Sequence, residues 1–76
     1  MRAYFLIQSE GGHSGPVAAE VRTIKGVISS DAVTGPYDVI AEAEAKTLDE
    51  LGRGVVGVIQ EVEGITRTVT CLVIHL

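Results

Sequence analysis

An α+β domain with six elements in the order β-α-β-β-α-β is what this sequence predicts, on three observations. Short runs rich in apolar and β-branched residues recur at 3–8, 27–33, 39–45 and 65–76. Two intervening stretches, 17–24 and 48–62, space their apolar residues as one face of a helix. Capping and turn residues mark the boundaries between them.

Residues 3–8 form a short apolar run with Tyr4 and Phe5, ended by the polar Gln8, as a central strand covered on both faces would. Ser9-Glu10-Gly11-Gly12-His13-Ser14-Gly15 is a loop, and Pro16 suits the first turn of the helix that follows, with Ser14 or Gly15 near its N-cap. Val17, Val21 and Ile24 recur at i, i+4 and i+7 with Arg22 opposite, and Lys25-Gly26 supplies a cation and a glycine for the helix end. Residues 27–33 read as a second strand and Thr34-Gly35-Pro36-Tyr37-Asp38 as a turn. In residues 39–45, Val39, Ala41, Ala43 and Ala45 alternate with Ile40, Glu42 and Glu44.

Thr47 and Glu50 have capping-box spacing, which starts a second helix. Its apolar stripe is Leu48, Leu51, Val55, Val58, Ile59 and Val62, with Arg53, Gln60 and Glu61 on the far side. Gly52 and Gly54 flank the stripe; each costs about 1 kcal/mol against alanine in a helix, so close approach of another element is expected there. Glu63-Gly64 ends the helix. The last strand, 65–76, places Ile65, Val69, Cys71 and Val73 on one face and Thr66, Thr68, Thr70, Leu72 and Ile74 on the other.

Two right-handed βαβ crossovers sharing a central hairpin give the ferredoxin-like split: a four-stranded antiparallel sheet with two helices on one face. The helix-free face is expected to show Leu72, Ile74 and Thr70 beside Ile40 and Glu42. A mixed, partly apolar face of this kind marks an interaction surface, and the expected assembly is a homodimer, a sandwich packed sheet to sheet. Size points the same way. A chain of 76 residues buries only roughly 60–65 % of its unfolded surface, and its single cysteine cannot close an internal disulfide. Hydrophobic residues nevertheless reach 46 %.

The whole of 1–76 reads as one domain. A net charge of −4 with no Lys/Arg cluster argues against direct nucleic-acid binding. The apolar N-terminal run is too short for a signal peptide, and no stretch approaches the roughly 20 apolar residues of a membrane helix. A cytoplasmic protein is expected, with no membrane partner.

Residues able to do chemistry are sparse. His13 lies alone in a loop and His75 one residue from the end; neither has a paired nucleophile or carboxylate. Cys71, mid-strand between Thr70 and Leu72, is expected to be a buried small hydrophobe. Gly11-Gly12-His13-Ser14-Gly15 precedes a helix but lacks the P-loop ending and the dinucleotide-binding spacing. Glu42 and Glu44 share a strand face, as a solvated or interface-paired pair. No metal site, cofactor or catalytic residue is expected.

Thr34-Gly35-Pro36-Tyr37-Asp38-Val39 between two strands, followed about 25 residues later by Glu63-Gly64-Ile65-Thr66-Arg67-Thr68-Val69-Thr70, resembles the effector-binding RAM domain of the Lrp/AsnC regulators. There, a T-G-x-Y-D-like turn precedes the third strand and a G-V-x-x-T-x-T segment opens the fourth. The resemblance covers nearly the whole chain. Ile65 stands where valine is usual, and Pro36 removes one backbone N–H from the turn.

The resemblance implies a stand-alone RAM protein without the family's DNA-binding half. It implies sheet-to-sheet dimers that assemble further, often into octameric rings, and an amino-acid effector held in clefts between dimers. Mixed assembly with full-length Lrp-type regulators would be its partner role. Thr34, Gly35, Tyr37 and Asp38 are the implied ligand-binding residues, with Thr66 and Thr68 beside them. Turn N–H groups and threonine hydroxyls can hold a carboxylate, and Asp38 an ammonium. The same residues are also ordinary turn chemistry and ordinary strand formers. A small dimeric ferredoxin-like monooxygenase is the alternative; the absence of Trp and Asn argues against it.

Overall fold

A computed structural model describes residues 1–76. Its elements are β1 (Arg2–Ser9), α1 (Ser14–Arg22), β2 (Val27–Ala32), β3 (Val39–Glu44), α2 (residues 48–59) and β4 (Ile65–Leu72). The strands lie in the order β2-β3-β1-β4, every neighbouring pair antiparallel. This is the expected ferredoxin-like order, with the two strands richest in buried positions at the centre.

The alternation of β3 sorts as expected. Val39, Ala41 and Ala43 are buried with Ala3, Phe5 and Ile7 of β1, against Val17, Ala18 and Val21 of α1 and Leu51, Val55 and Ile59 of α2. Alanines at 3, 41 and 43 let the helix layer settle close to the sheet. Ser30 is the one polar side chain in this layer, and its hydroxyl donates to the Ala18 carbonyl at 2.9 Å. The same serine's carbonyl accepts from Arg22, so α1 is tied to β2 from two sides.

Both helices differ from the expectation in detail. The α-helical part of α1 stops at Arg22, and tighter turns through Thr23 and Ile24 lead to Gly26. Thr47 caps α2, its hydroxyl accepting from Glu50 N–H at 3.1 Å. The reciprocal arm reaches one residue past the cap, from Lys46 N–H to Glu50 Oε2 at 3.3 Å. Between its α-helical ends, α2 widens to a π-helix over Leu51–Val56, where Gly57 N–H bonds to the Gly52 carbonyl. Leu51, Val55 and Ile59 of the expected stripe are buried, whereas Leu48 and Val58 are exposed.

Gly52 and Gly54 are not close-approach positions: a Cβ on either would meet nothing within 4 Å. The crowded glycines are Gly26 and Gly64. A Cβ on Gly64 would stand 3.2 Å from His13 Cβ and 3.3 Å from Val17 Cγ2. Its φ of +95° is a conformation that L side chains rarely adopt.

The faces of β4 are the reverse of those expected. Val69 pairs with Leu6 and Cys71 with Tyr4, so Arg67, Val69 and Cys71 share the helix-free face with Leu6, Ile40, Tyr4 and Glu42. Thr68, Thr70 and Leu72 are on the helix side, opposite Ile7, Phe5 and Ala3. Alternation along a strand has no sign of its own; pairing supplies it, and a one-residue slip exchanges the faces. A register irregularity between Gln8 and Ser9 makes that slip at the start of β4. Cys71 is consequently exposed, not buried. No residue of β4 is fully buried, because the helices sit over β1 and the β3 side and leave this edge bare.

The helix-free face has an apolar row, Ile40–Leu6–Val69, across three strands. Beside it, Arg2 pairs with Glu42 at 2.9 Å and donates to the Tyr4 hydroxyl at 3.3 Å. The Tyr4 hydroxyl and the Glu42 charge hold the guanidinium above its ordinary range.

Candidate ligand-binding site

The turn between β2 and β3 is closed by Val33 N–H to the Asp38 carbonyl at 2.9 Å. Gly35 has φ +137° and open space around it, so the turn's backbone is approachable at that point. Pro36 has its own φ locked by its ring and gives its carbonyl to Gln8, whose Nε2 donates at 3.1 Å. The turn is thereby bound to the end of β1.

Asp38 brackets the same segment. Its N–H donates to the Ile7 carbonyl at 2.8 Å, and its Oδ2 accepts from Ser9 N–H at 2.8 Å. That second bond has a plain structural role, since the strand-end N–H has no ladder partner there. It engages one carboxylate oxygen and leaves the other without a hydrogen bond inside the chain. From the opposite side, the Thr66 hydroxyl donates to the Gln8 carbonyl at 3.2 Å. The Ser9 hydroxyl is buried and makes no hydrogen bond; orphan polar groups of this kind are rare in folded proteins.

Three segments distant in sequence therefore meet at Gln8–Ser9: the 34–38 turn, the end of β1 and the start of β4. Of the residues expected to bind a ligand, Asp38 and Thr66 are brought to this junction by direct hydrogen bonds. Thr34 and Gly35 are exposed on the turn, and Tyr37 is half-buried beside them. Thr68 stands apart. It lies opposite Ile7 on the helix side of the sheet, across from the face that carries Arg67.

Gln8, Ser9 and Arg67 belong to the site and were not singled out from the sequence. Gln8 and Ser9 are the first polar residues after the apolar run, which was the available signal. Their partners lie 28, 29 and 58 positions away, and only strand pairing reveals them. Arg67 pairs with Gln8 across β1 and β4, and its exposed guanidinium has no carboxylate within 4.0 Å.

Two concavities of the single chain lie elsewhere. One, of about 810 Å³, runs between the helices and is bordered by Glu20, Glu61 and Glu63. The other, of about 680 Å³, lies at the far end of the sheet beside Lys25, Lys46 and Arg53. Neither includes the 34–38 turn, which offers polar groups without a deep wall around them. His13 is at the N-terminus of α1 with Nδ1 3.0 Å from the Gly11 carbonyl, and no three His, Cys, Asp or Glu residues gather as metal ligands. No helix is long and apolar enough to cross a membrane.

Comparison with known proteins is consistent along the chain. A curated relative, the uncharacterized HTH-type transcriptional regulator PH1916 of Pyrococcus horikoshii, is 33 % identical over 54 residues, covering 71 % of this chain and 36 % of the relative. The aligned part is thus about a third of that regulator's length. The crystal structure of TTHA0845 from Thermus thermophilus superposes with a TM-score of 0.89 at 31 % identity, covering 99 % of this chain and 94 % of that one. The transcriptional regulator NMB0573 from Neisseria meningitidis, solved as its L-Met complex, has the same fold: TM-score 0.81, 20 % identity, 97 % of this chain and 49 % of that one. The family model of the Lrp/AsnC ligand binding domain matches residues 2–75, and the chain belongs to that family.

Proposed function

We propose that this protein is an amino-acid-binding and oligomerising module of the Lrp/AsnC type, acting in cytoplasmic regulation and performing no chemistry itself. The observation that carries the reading is the convergence of the 34–38 turn, Gln8–Ser9 and Thr66 at one end of the sheet. Together they present a carboxylate, hydroxyls and approachable backbone to a small polar ligand. Thr34, Gly35, Tyr37, Asp38 and Thr66 are the proposed contacts. Thr68 would contribute only if a ligand or a second copy reached around the bare edge of β4.

Assembly completes the site in this reading. The Ile40–Leu6–Val69 row is too apolar to favour water, and Tyr4 beside it is more than a third exposed. Packing two such faces together removes both rows from solvent. The flanking Arg2–Glu42 pairs set which copies match. Further association of dimers would supply the walls that the turn lacks in a single copy. The solved chain from Thermus thermophilus, 94 % of which this chain covers, supports the domain as a folding unit. Mixed assembly with longer Lrp-type regulators is the partner role that fits it. The L-Met complex of NMB0573 supports an amino acid as the ligand class.

Size-exclusion chromatography with light scattering, run with and without a mixture of the protein amino acids, tests both halves. A dimer or larger particle whose size or thermal stability responds to the mixture is expected. A monomer that responds to none of them would overturn the proposal.

A further inference from the structure

We infer that Arg67 binds the carboxylate of the ligand, and so restricts the site to molecules carrying a free acid together with an amine. This rests on the amino-acid-binding reading given above. Of the six Lys and Arg residues, five are committed or distant. Arg2 pairs with Glu42 and Arg53 with Asp49. Arg22 donates to the Ser30 carbonyl. Lys25 and Lys46 border the concavity at the other end of the sheet. Arg67 is the sole cation at the end where the turn sits.

Its place across the strands is specific. Gln8 stands directly opposite Arg67, and Asp38 holds the backbone on either side of Gln8 through Ile7 and Ser9. An anion at the turn before β3 and a cation on β4 therefore flank one amide residue on the central strand. Neighbouring strands are about 4.8 Å apart. Arg67 and the turn are two spacings apart, about 9.6 Å, with Gln8 between them, a gap that an arginine side chain spans together with a small zwitterion. Gln8 itself is held toward the turn by its bond to the Pro36 carbonyl.

The turn also needs help with an anion. Pro36 has no N–H to offer, so fewer turn donors are available than in a turn without proline. A guanidinium offers a planar pair of donors matched to a carboxylate, and such charge-assisted bonds are among the strong ones. Asp38 and Arg67 together present opposite charges in a polar frame, the arrangement a zwitterion would complement.

The test is calorimetric titration of wild-type protein and R67Q with each of the twenty protein amino acids in turn. The strongest binder's α-carboxamide follows, which keeps the ammonium and removes the acid. Wild type should bind the carboxamide about tenfold or more weakly than the acid. R67Q should bind acid and carboxamide alike, and R67K should recover part of the preference. Light scattering of R67Q shows whether assembly survives; if it does not, the wild-type acid-to-carboxamide ratio decides alone. Equal binding of acid and carboxamide by wild type, or an undiminished preference in an assembled R67Q, overturns this inference and leaves the amino-acid reading standing. No binding of any amino acid by wild type overturns both.

Discussion

Replacing Asp38 separates its structural role from its ligand role. Alanine at 38 removes the acceptor of Ser9 N–H, a 2.8 Å bond to a partly buried carboxylate. That N–H lies past the end of the β1–β3 ladder, whose last pair is Ile7 with Val39, so no strand carbonyl replaces the lost acceptor. Stranding a partly buried donor costs about 1–3 kcal/mol. A small domain has total stability near the low end of about 5–15 kcal/mol, so the loss is a large fraction. In a chain of this size it corresponds to a fall in Tm on the order of 10 °C. Asparagine at 38 keeps an oxygen that can accept from Ser9 N–H and removes only the charge. D38N should therefore melt within a few degrees of wild type, while its affinity for an ammonium-bearing ligand falls. Thermal unfolding followed by circular dichroism, at matched protein concentration because assembly shifts Tm, reads the first effect; calorimetry reads the second. D38A melting with wild type would show that the Ser9 bond contributes nothing. D38N binding amino acids as wild type does would remove Asp38 from the ligand contacts.

Three further outcomes are expected. Gly64→Ala combines a φ of +95° with contacts of 3.2–3.3 Å to His13 and Val17, and should destabilise by about 1–3 kcal/mol in chemical unfolding. Gly54→Ala faces open space within helix α2 and should be neutral or stabilising by up to about 1 kcal/mol; a clear loss would mean that another copy packs there. Leu6→Asp places a charge in the centre of the Ile40–Leu6–Val69 row, and light scattering should show a smaller particle with an unchanged circular dichroism spectrum. An unchanged particle size would remove the helix-free face from the assembly.

The element order, the capped start of α2 and the buried face of β3 were legible in the sequence. Each depends on local rules: Val39, Ala41 and Ala43 alternate at the strand period, and Thr47 with Glu50 has the spacing of one helical turn. The turn at 34–38 was legible for the same reason, since Gly35 and Pro36 act on their own backbone. The candidate site was half legible. Asp38 and Thr66 could be named, but Gln8, Ser9 and Arg67 could not, because each matters only through a partner on another strand.

Tertiary structure alone decided the rest. Whether Val69 or Leu72 faces the helix-free side depends on one residue of register between β1 and β4, which no pattern within residues 65–72 contains. Whether a helical glycine is crowded depends on what packs over it, and the open surroundings of Gly52 and Gly54 against the tight ones of Gly26 and Gly64 reversed the expectation from helix propensity. Periodicity along a chain specifies that two faces differ. Only the pairing of distant segments assigns each face to the core or to solvent, and that assignment decides which side chains gather beside the turn.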